Sequence, residues 1–248
     1  PDRSMLTRPD ALERIDALLG PALCRVFART QRALRYPALE SLGGALLVVR
    51  PGGIGDAVMT LPMLAALRAA LPGREVDVLC ESRNRALYRL ADPGLRLLSY
   101  DTDPFGTLRA LRRRGYALVL DTEQYHHFSA VLAAWTRAPL RVGFKINARR
   151  NALYTHLVGY DLDGPEDRQF GRLAAAVLDP LPPLPEKRGL LAGAALPPLP
   201  PRGGGAAPLA VVHAGGSVPE KRWAAEKYAA LCDQLAARFG FEPVLIGS

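Results

Sequence analysis

The stretch from Leu46 to Leu71, L-L-V-V-R-P-G-G-I-G-D-A-V-M-T-L-P-M-L-A-A-L-R-A-A-L, constrains the chain more than any other. Leu46 to Val49 form a short apolar run with β-branched residues, the pattern of a strand buried on both faces. A glycine-rich turn follows, with Gly52, Gly53 and Gly55. Val58, Leu61, Leu64, Ala65 and Arg68 then recur at spacings of three and four, which predicts a helix that Pro72-Gly73 ends. Strand, glycine turn and helix make the opening unit of a doubly wound α/β domain, in which ligands sit beyond the carboxyl ends of the strands. Asp56 falls where the turn becomes the helix, facing that crevice.

Two phosphate motifs can be tested on this turn. A Walker A loop ends in G-K-[ST], and this one ends in G-D-A. A dinucleotide fingerprint needs G-x-G-x-x-G; Gly53 and Gly55 supply two glycines, but Val58 stands at the third position. Glu81, after the next apolar run, superficially resembles the ribose-binding acid of that fingerprint. Electrostatics argue against it: a pyrophosphate would sit at the helix N-terminus, where Asp56 already places a carboxylate. The turn suits a neutral hydroxyl better than an anion. A nucleotide-dependent oxidoreductase remains the alternative enzyme class, and a non-catalytic nucleotide- or sugar-binding module the alternative outside catalysis.

The chain has 248 residues, enough for one large domain or two small ones, and its 49% apolar content can build a real core. Its net charge of +8 is carried almost wholly by arginine, with lysine only at Lys145, Lys187, Lys221 and Lys227. The three cysteines, Cys24, Cys80 and Cys232, lie far apart and form no metal or redox motif, as suits a reducing cytoplasm. No apolar run reaches the ~18–20 residues needed to span a bilayer. Arg3, Arg8, Asp10 and Glu13 are followed by no long apolar core, so no signal peptide is visible.

Residues 1–44 read as a helical arm. Thr7-Arg8-Pro9-Asp10 offers a cap and an early proline. Leu12, Ile15 and Leu19 share a face, and Gly20-Pro21 is expected to end a first helix. A second is expected from Ala22, with Leu23, Val26, Phe27, Thr30 and Leu34 on one side and Arg25, Arg29, Arg32 and Arg35 largely on the other. Such a basic amphipathic arm either packs on the body of the protein or lies on an anionic membrane surface.

Beyond the first unit the α/β rhythm continues. Strands are expected at Glu75–Cys80, Leu95–Tyr100, Ala117–Leu120 and Leu140–Phe144. Helices are expected at Arg83–Leu90, Phe105–Arg114, Phe128–Thr136 and Phe170–Leu178. The alternation predicts a parallel sheet over residues 45–180. Glu123-Gln124-Tyr125-His126-His127 follows a strand end and should line the same crevice as Asp56, with Glu123 or Gln124 as acceptor contacts. Adjacent histidines point in different directions, so no metal is expected there. Arg137, Arg141, Lys145, Arg149 and Arg150 form a basic region suited to an acceptor bearing phosphates or acidic sugars. Nucleic acid is not expected, because no binding motif or aromatic stacking run supports it.

Proline pairs at 182–183, 197–198 and 200–201, with Gly203-Gly204-Gly205, mark residues 181–208 as a linker. A second α/β unit occupies 209–248. It comprises a strand at Leu209–His213, a turn at Ala214-Gly215-Gly216-Ser217, a helix at Glu226–Phe239 and a strand at Pro243–Ile246. Glycine-turn amides and one cation, Lys221, can together hold a diphosphate. A complete second domain would need roughly another hundred residues, so this domain is expected to be incomplete.

Gly55-Asp56-Ala57-Val58-Met59-Thr60-Leu61-Pro62, with Arg141-Val142-Gly143-Phe144, His213-Ala214-Gly215-Gly216-Ser217 and Lys221-Arg222-Trp223, resembles glycosyltransferase family 9, the heptosyltransferases of lipopolysaccharide core assembly. The D-T-G-x-x-H motif of that family is not found. The resemblance implies a GT-B architecture of two Rossmann-like doubly wound domains, the second incomplete. It implies an inverting, metal-independent transferase with no cofactor beyond its nucleotide-sugar donor, for which ADP-heptose is the first expectation. Its acceptor would be an anionic glycolipid of the lipopolysaccharide core, met in the cytoplasm at the inner face of the membrane through peripheral contact. By the same resemblance Asp56 is the catalytic base, against its plainer role as a helix N-cap worth about 1 kcal/mol. Gly215, Gly216, Ser217 and Lys221 would hold the donor phosphates, and Gly53, Gly55, Glu123 and Gln124 would contact the acceptor.

Overall fold

The computed structural model describes residues 9–29, 36–191, 207–216 and 219–246. In chain order the elements are α1 (Pro9–Arg29), β1 (Ala45–Val49), α2 (Ile54–Ala70), β2 (Val76–Cys80), α3 (Ser82–Ala91), β3 (Arg96–Ser99), α4 (Pro104–Arg113), β4 (Tyr116–Asp121), α5 (His127–Trp135), β5 (Leu140–Phe144), α6 (Ala148–Asn151), β6 (His156–Val158), α7 (Glu166–Ala175), α8 (Lys187–Leu190), β7 (Leu209–His213), α9 (Ala225–Phe239) and β8 (Glu242–Ile246). Two compact units result, Pro1–Ala195 and Leu196–Ser248.

The first unit is built on a six-stranded sheet of order β3-β2-β1-β4-β5-β6. Every pairing is parallel: Val49 lies opposite Leu79 on β2 and opposite Asp121 on β4. The order reverses between β1 and β4, the topological switch point of a doubly wound sheet. Side-chain alternation along the strands gives two cores. Leu46, Val48, Val76, Val78, Leu118, Leu120, Val142 and Phe144 face one side, with Leu61, Leu64, Leu67 and Phe170. Leu47, Val49, Leu79 and Val119 face the other, with Leu111, Ala130, Ala134 and Cys24. Both faces are covered, so β1, β2, β4 and β5 are buried along their whole length.

The structure departs from the expectations in several places. Residues 9–29 form one helix that runs through Pro21, not two helices broken at Gly20-Pro21. An internal proline costs ~3 kcal/mol or more, and packing on α5 offsets it. A Cβ on Gly20 would lie 2.5 Å from His127 Cβ, so glycine allows α1 to approach. Cys24 is buried in the core beneath, and Phe27 meets Trp135 edge-on at 6.3 Å. Thr7, Arg8, Thr30, Arg32, Leu34 and Arg35 lie outside the described residues. In α2 the expected stripe is replaced by burial nearly all round: Ala57, Thr60, Leu61, Pro62, Met63, Leu64, Ala66 and Leu67 are buried while Arg68 is exposed. The reason is that α2 is packed between the sheet and α7. The short elements α6, β6 and α8 were not anticipated. Past residue 181, where a linker is expected to start, the chain still touches the first unit. Leu181, Leu190 and Leu191 pack on the first core, and Lys187 Nζ pairs with Asp167 at 2.9 Å.

The second unit is a β-α-β unit, with β7 and β8 paired in parallel from Leu209↔Glu242 to His213↔Ile246. Gly240, at φ 66°, closes α9 in the left-handed conformation.

The bond between α1 and α5 is unusual because it is a helix cap supplied from far away in the chain. Asp16 Oδ2 accepts from the His127 amide at 2.9 Å, and Oδ1 accepts from the Phe128 amide at 2.5 Å. His127 Nδ1 lies 3.1 Å from the same carboxylate. His126, the N-cap residue of α5, makes no side-chain cap bond of its own. Asp16→Ala is expected to lower the unfolding free energy by about 2 kcal/mol, the scale of hydrogen bonds to a charged acceptor. Asp16→Asn, which keeps one carbonyl oxygen, should lose less; urea unfolding monitored by circular dichroism measures both.

Candidate active site

The crevice at the strand-order reversal is organised by Arg50, the residue after β1. Its side chain is almost fully buried. Nε donates to Pro51 O at 2.7 Å and Nη1 to Thr122 O at 3.0 Å, tying the ends of β1 and β4 together. Nη2 lies 3.5 Å from Asp56 Oδ2 and 3.5 Å from Glu123 Oε2. The guanidinium carbon stands 5.7 Å from the centre of the Phe170 ring. A buried cation needs partners for each face, and here two carbonyls, two carboxylates and an aromatic ring provide them. Thr122 strengthens the seam: its amide and its hydroxyl both donate to Val49 O, at 3.1 and 2.8 Å.

Asp56 stands in the first turn of α2 with its side chain 55% exposed. Gly53 is the N-cap residue of α2 and makes no side-chain bond; its carbonyl accepts from the Ala57 amide at 3.2 Å. Among the described residues the Asp56 carboxylate contacts Arg50 and not the amides of its own helix. A Cβ on Gly53 or Gly55 would meet nothing within 4 Å, so packing within the chain does not demand glycine at either position. Asn84 holds the turn from behind, donating Nδ2 to Arg50 O at 3.3 Å and to Gly52 O at 3.1 Å. Deeper in α2, buried Thr60 of the T-L-P segment bonds Ala57 O at 2.7 Å and Tyr88 OH at 3.0 Å, joining α2 to α3.

Glu123 reaches the same crevice but turns inward. Its Oε1 accepts from the amides of Gln124 (2.9 Å), Tyr125 (2.8 Å) and His126 (3.3 Å), while Oε2 faces Arg50. It therefore shapes the loop and positions Arg50, with both carboxylate oxygens engaged within the chain. Gln124 is also buried, and its Nε2 donates to Glu166 Oε1 at 2.6 Å. Tyr160 OH donates to the other oxygen of Glu166. Tyr125 is the exposed side chain of this loop.

The expected basic patch loses two members. Arg141 is buried, donating Nε to Leu153 O at 2.8 Å and Nη1 to Ala138 O. Arg150 is buried as well, with Nη2 bonded to Asp121 Oδ2 (3.0 Å), Ser129 Oγ (3.0 Å) and Tyr154 OH (2.7 Å). Tyr154 OH also donates to Asp121 Oδ2 at 2.6 Å. Burial pushes the Asp121 carboxyl above its usual range, and Arg150 opposes that shift. The R-V-G-F segment is accounted for by packing. A Cβ on Gly143 would lie 2.5 Å from the Tyr154 ring, and Phe144 meets Tyr160 edge-on at 4.9 Å. Arg137, Lys145 and Arg149 remain exposed.

The oxidoreductase alternative weakens at Glu81. Its carboxylate accepts from Tyr100 OH at 2.5 Å and pairs with Arg83 Nε at 2.6 Å, so it already has two partners within the chain. In the second unit, Gly215 and Gly216 follow β7, and Ser217 lies outside the described residues. Lys221 is exposed at the end of a short 3₁₀ turn, Pro219–Lys221. A Cβ on Gly216 would lie 3.3 Å from Lys221 Cβ, so Lys221 stands beside the glycine turn. Arg222 Nε donates to Gly216 O at 2.8 Å and fixes that turn. Among the described residues no group of three or more His, Cys, Asp or Glu side chains could hold a metal ion. No described helix is long and apolar enough to cross a membrane.

Sequence reasoning missed Arg50, although it carried a signal. A charge placed directly between a buried apolar strand and a Pro-Gly-Gly turn must either find partners at the strand end or distort it. Arg50→Met would leave Glu123 Oε2 buried without its cation. It is expected to destabilise the chain by about 3 kcal/mol, the lower end for removing one partner of a buried ion pair. Urea unfolding of Arg50→Met beside the unmutated chain checks this.

No protein-family model matches the chain, and no curated protein matches it by sequence. Solved structures do match by fold. E. coli heptosyltransferase WaaC with ADP-2-deoxy-2-fluoro heptose aligns with a TM-score of 0.63 at 19% identity, over 82% of this chain and 69% of that one. E. coli ADP-heptose lps heptosyltransferase II aligns with a TM-score of 0.58 at 21% identity, over 82% of this chain and 64% of that one. The glycosyl transferase family 9 structure from Veillonella parvula aligns with a TM-score of 0.60 at 20% identity, over 85% of this chain and 64% of that one. This chain thus spans about two thirds of the length of each. Its fold is the α/β fold of the heptosyltransferases and of glycosyltransferase family 9.

Proposed function

We propose that this chain is a glycosyltransferase of the family 9 kind that moves a sugar from a nucleotide-sugar donor to a glycolipid acceptor. The observation that carries the reading is Asp56. A half-exposed carboxylate stands at the carboxyl end of β1, at the reversal of strand order, on a G-D-x(3)-T-L-P helix, with a buried guanidinium behind it. The fold shared with heptosyltransferases, one of them solved with an ADP-heptose analogue, supports heptose as the sugar and ADP as its carrier.

Glycosyl transfer of the inverting kind needs one base. The acceptor hydroxyl attacks the anomeric carbon from the face opposite the leaving group. As the new C–O bond forms, the hydroxyl becomes acidic and its proton passes to a positioned carboxylate. The old C–O bond breaks and its electron pair leaves with the nucleotide diphosphate. Asp56 is suited to receive that proton because one oxygen is held by Arg50 and the carboxylate still opens to the crevice. Arg50 fixes the carboxylate's direction, and Glu123 and Thr122 fix Arg50. Gly53 and Gly55 leave the approach to Asp56 clear of side chains, which is the part they play for the acceptor. Gln124 shapes the crevice rim through Glu166. In the second unit Gly215, Gly216, Ser217 and Lys221 are assigned to the donor's phosphates, with Lys221 as the cation opposite the charge that builds up on the leaving diphosphate.

The test is release of ADP from ADP-heptose in the presence of a lipopolysaccharide-core acceptor. Asp56→Asn is expected to lower kcat by ~10²–10⁴, the range for loss of a general acid–base group. Donor binding should hold and thermal stability should change little, since Asp56 is half exposed and asparagine keeps an oxygen to face Arg50. A folded Asp56→Asn protein that keeps full turnover would leave Asp56 only an ion-pair partner of Arg50 and remove the proposal's main support.

A further inference from the structure

One face of α1 is covered by α5, and the opposite face is exposed among the described residues. Asp16, Gly20 and Cys24 point into the body of the protein. Opposite them Ile15, Leu18, Leu19, Ala22 and Val26 recur at intervals of three and four residues and form a single stripe. All are exposed: Leu18 by 80%, Val26 by 56% and Leu19 by 50%. Exposed apolar side chains are ordinary singly, but a contiguous stripe marks an interaction surface.

The charges beside the stripe identify the occupant. Arg14, Arg25 and Arg29 lie in the helical row of Leu18, along one margin, and all three are exposed. None of them forms an ion pair among the described residues. Of the acidic side chains described on α1, Asp16 is buried against α5, and Glu13 lies in the row of Gly20 and Cys24, away from the stripe. An apolar stripe with arginines along its edge is the pattern of a helix lying in the plane of a lipid interface. A second copy of the chain fits less well. A two-fold pairing sets the same patch against itself and would bring like charges together.

We infer that α1 is an interfacial helix that docks the first unit on an anionic lipid surface. Its apolar stripe enters the boundary between headgroups and acyl chains, and Arg14, Arg25 and Arg29 meet the anionic headgroups. The helix is one continuous element of 21 residues, long enough to bury such a stripe along its length. It also lies next to the crevice. Asp16 caps the start of α5, and α5 follows directly on the loop that Glu123 folds at the carboxyl end of β4. Lipid binding by α1 would therefore hold the crevice rim close to the membrane plane. The usefulness of that placement for a glycolipid acceptor rests on the proposed function; the lipid binding itself does not.

Co-sedimentation of the full chain with vesicles tests the inference without any sugar substrate. One set is phosphatidylcholine alone, and the other an equal mixture with phosphatidylglycerol. The unmutated chain should bind the anionic set and release as salt is raised. Arg14→Gln, Arg25→Gln and Arg29→Gln together should weaken binding by about 100-fold, from roughly a fivefold share per arginine. Leu18→Gln with Val26→Gln should weaken it by about tenfold or more, since transfer of apolar groups supplies the other half of the affinity. Far-UV circular dichroism confirms that both variants are folded. Absence of vesicle binding by the unmutated chain overturns the inference. So does equal binding to both vesicle sets, which needs no variant, or unchanged binding by the Leu18→Gln, Val26→Gln protein. A dimer in light scattering that Leu18→Gln dissociates would assign the stripe to a second copy and overturn it as well. Loss of ADP release in Asp56→Asn leaves all of these outcomes unaffected, so the two proposals fail separately.

Discussion

A single guanidinium, buried where β1 and β4 part, sets the geometry of the first unit's functional end. A parallel sheet that reverses its strand order leaves two carboxyl ends diverging with unsatisfied carbonyls between them. Arg50 spans that gap with donors directed at Pro51 O and Thr122 O. Its charge then needs compensation, because a lone buried cation is far more costly than a paired one. Glu123 and Asp56 provide it, each with a carboxylate oxygen 3.5 Å from Nη2. The first is sequestered and the second is left half open to solvent, so one ion cluster holds one carboxylate closed and the other open.

The same economy recurs around the crevice. Asp121 accepts the Glu123 amide at 3.0 Å with one oxygen and holds Tyr154 and Arg150 with the other. Arg150 returns to Ser129 on α5, and Asp16 on α1 supplies the first amides of that helix. A continuous polar path thus links α1, α5, the β4 loop and the segment around α6. Buried polar groups are mostly hydrogen-bonded, and here the bonds also tie distant parts of the chain to one small crevice.

The architecture was legible because its signals are periodic. Apolar runs of strand length alternate with helix-length segments, and Pro-Gly or Gly-Gly punctuation separates many of them. Placement of Asp56 followed from the same pattern, since position after the first strand of such a sheet is itself a location. What could not be read was which charges point inward. Arg141 and Arg150 look identical to Arg137 and Arg149 in a sequence, and only the carbonyls and carboxylates that fold around the first pair distinguish them. The break expected at Gly20-Pro21 failed for a similar reason. Local propensity is a weak preference, and contact with α5 outweighs it. Glu123 was placed correctly in the crevice, but its orientation depends on amides three residues further along the chain.

The seam between β1 and β4 also bears on how the chain acquires its shape. Thr122 bonds Val49 across a sequence separation of 73 residues, and Arg50 bonds Thr122 across 72. Neighbouring strands such as β1 and β2 can meet after closing a much shorter loop. Distant parallel pairings come at a greater entropic cost and are slow to form. The Arg50 cluster therefore depends on a closure of 72 residues for its Thr122 bond, whereas its Asp56 contact is local. Loss of the β1–β4 register would thus leave Arg50 and Asp56 neighbours in the chain but without the Thr122 and Glu123 contacts that fix the guanidinium.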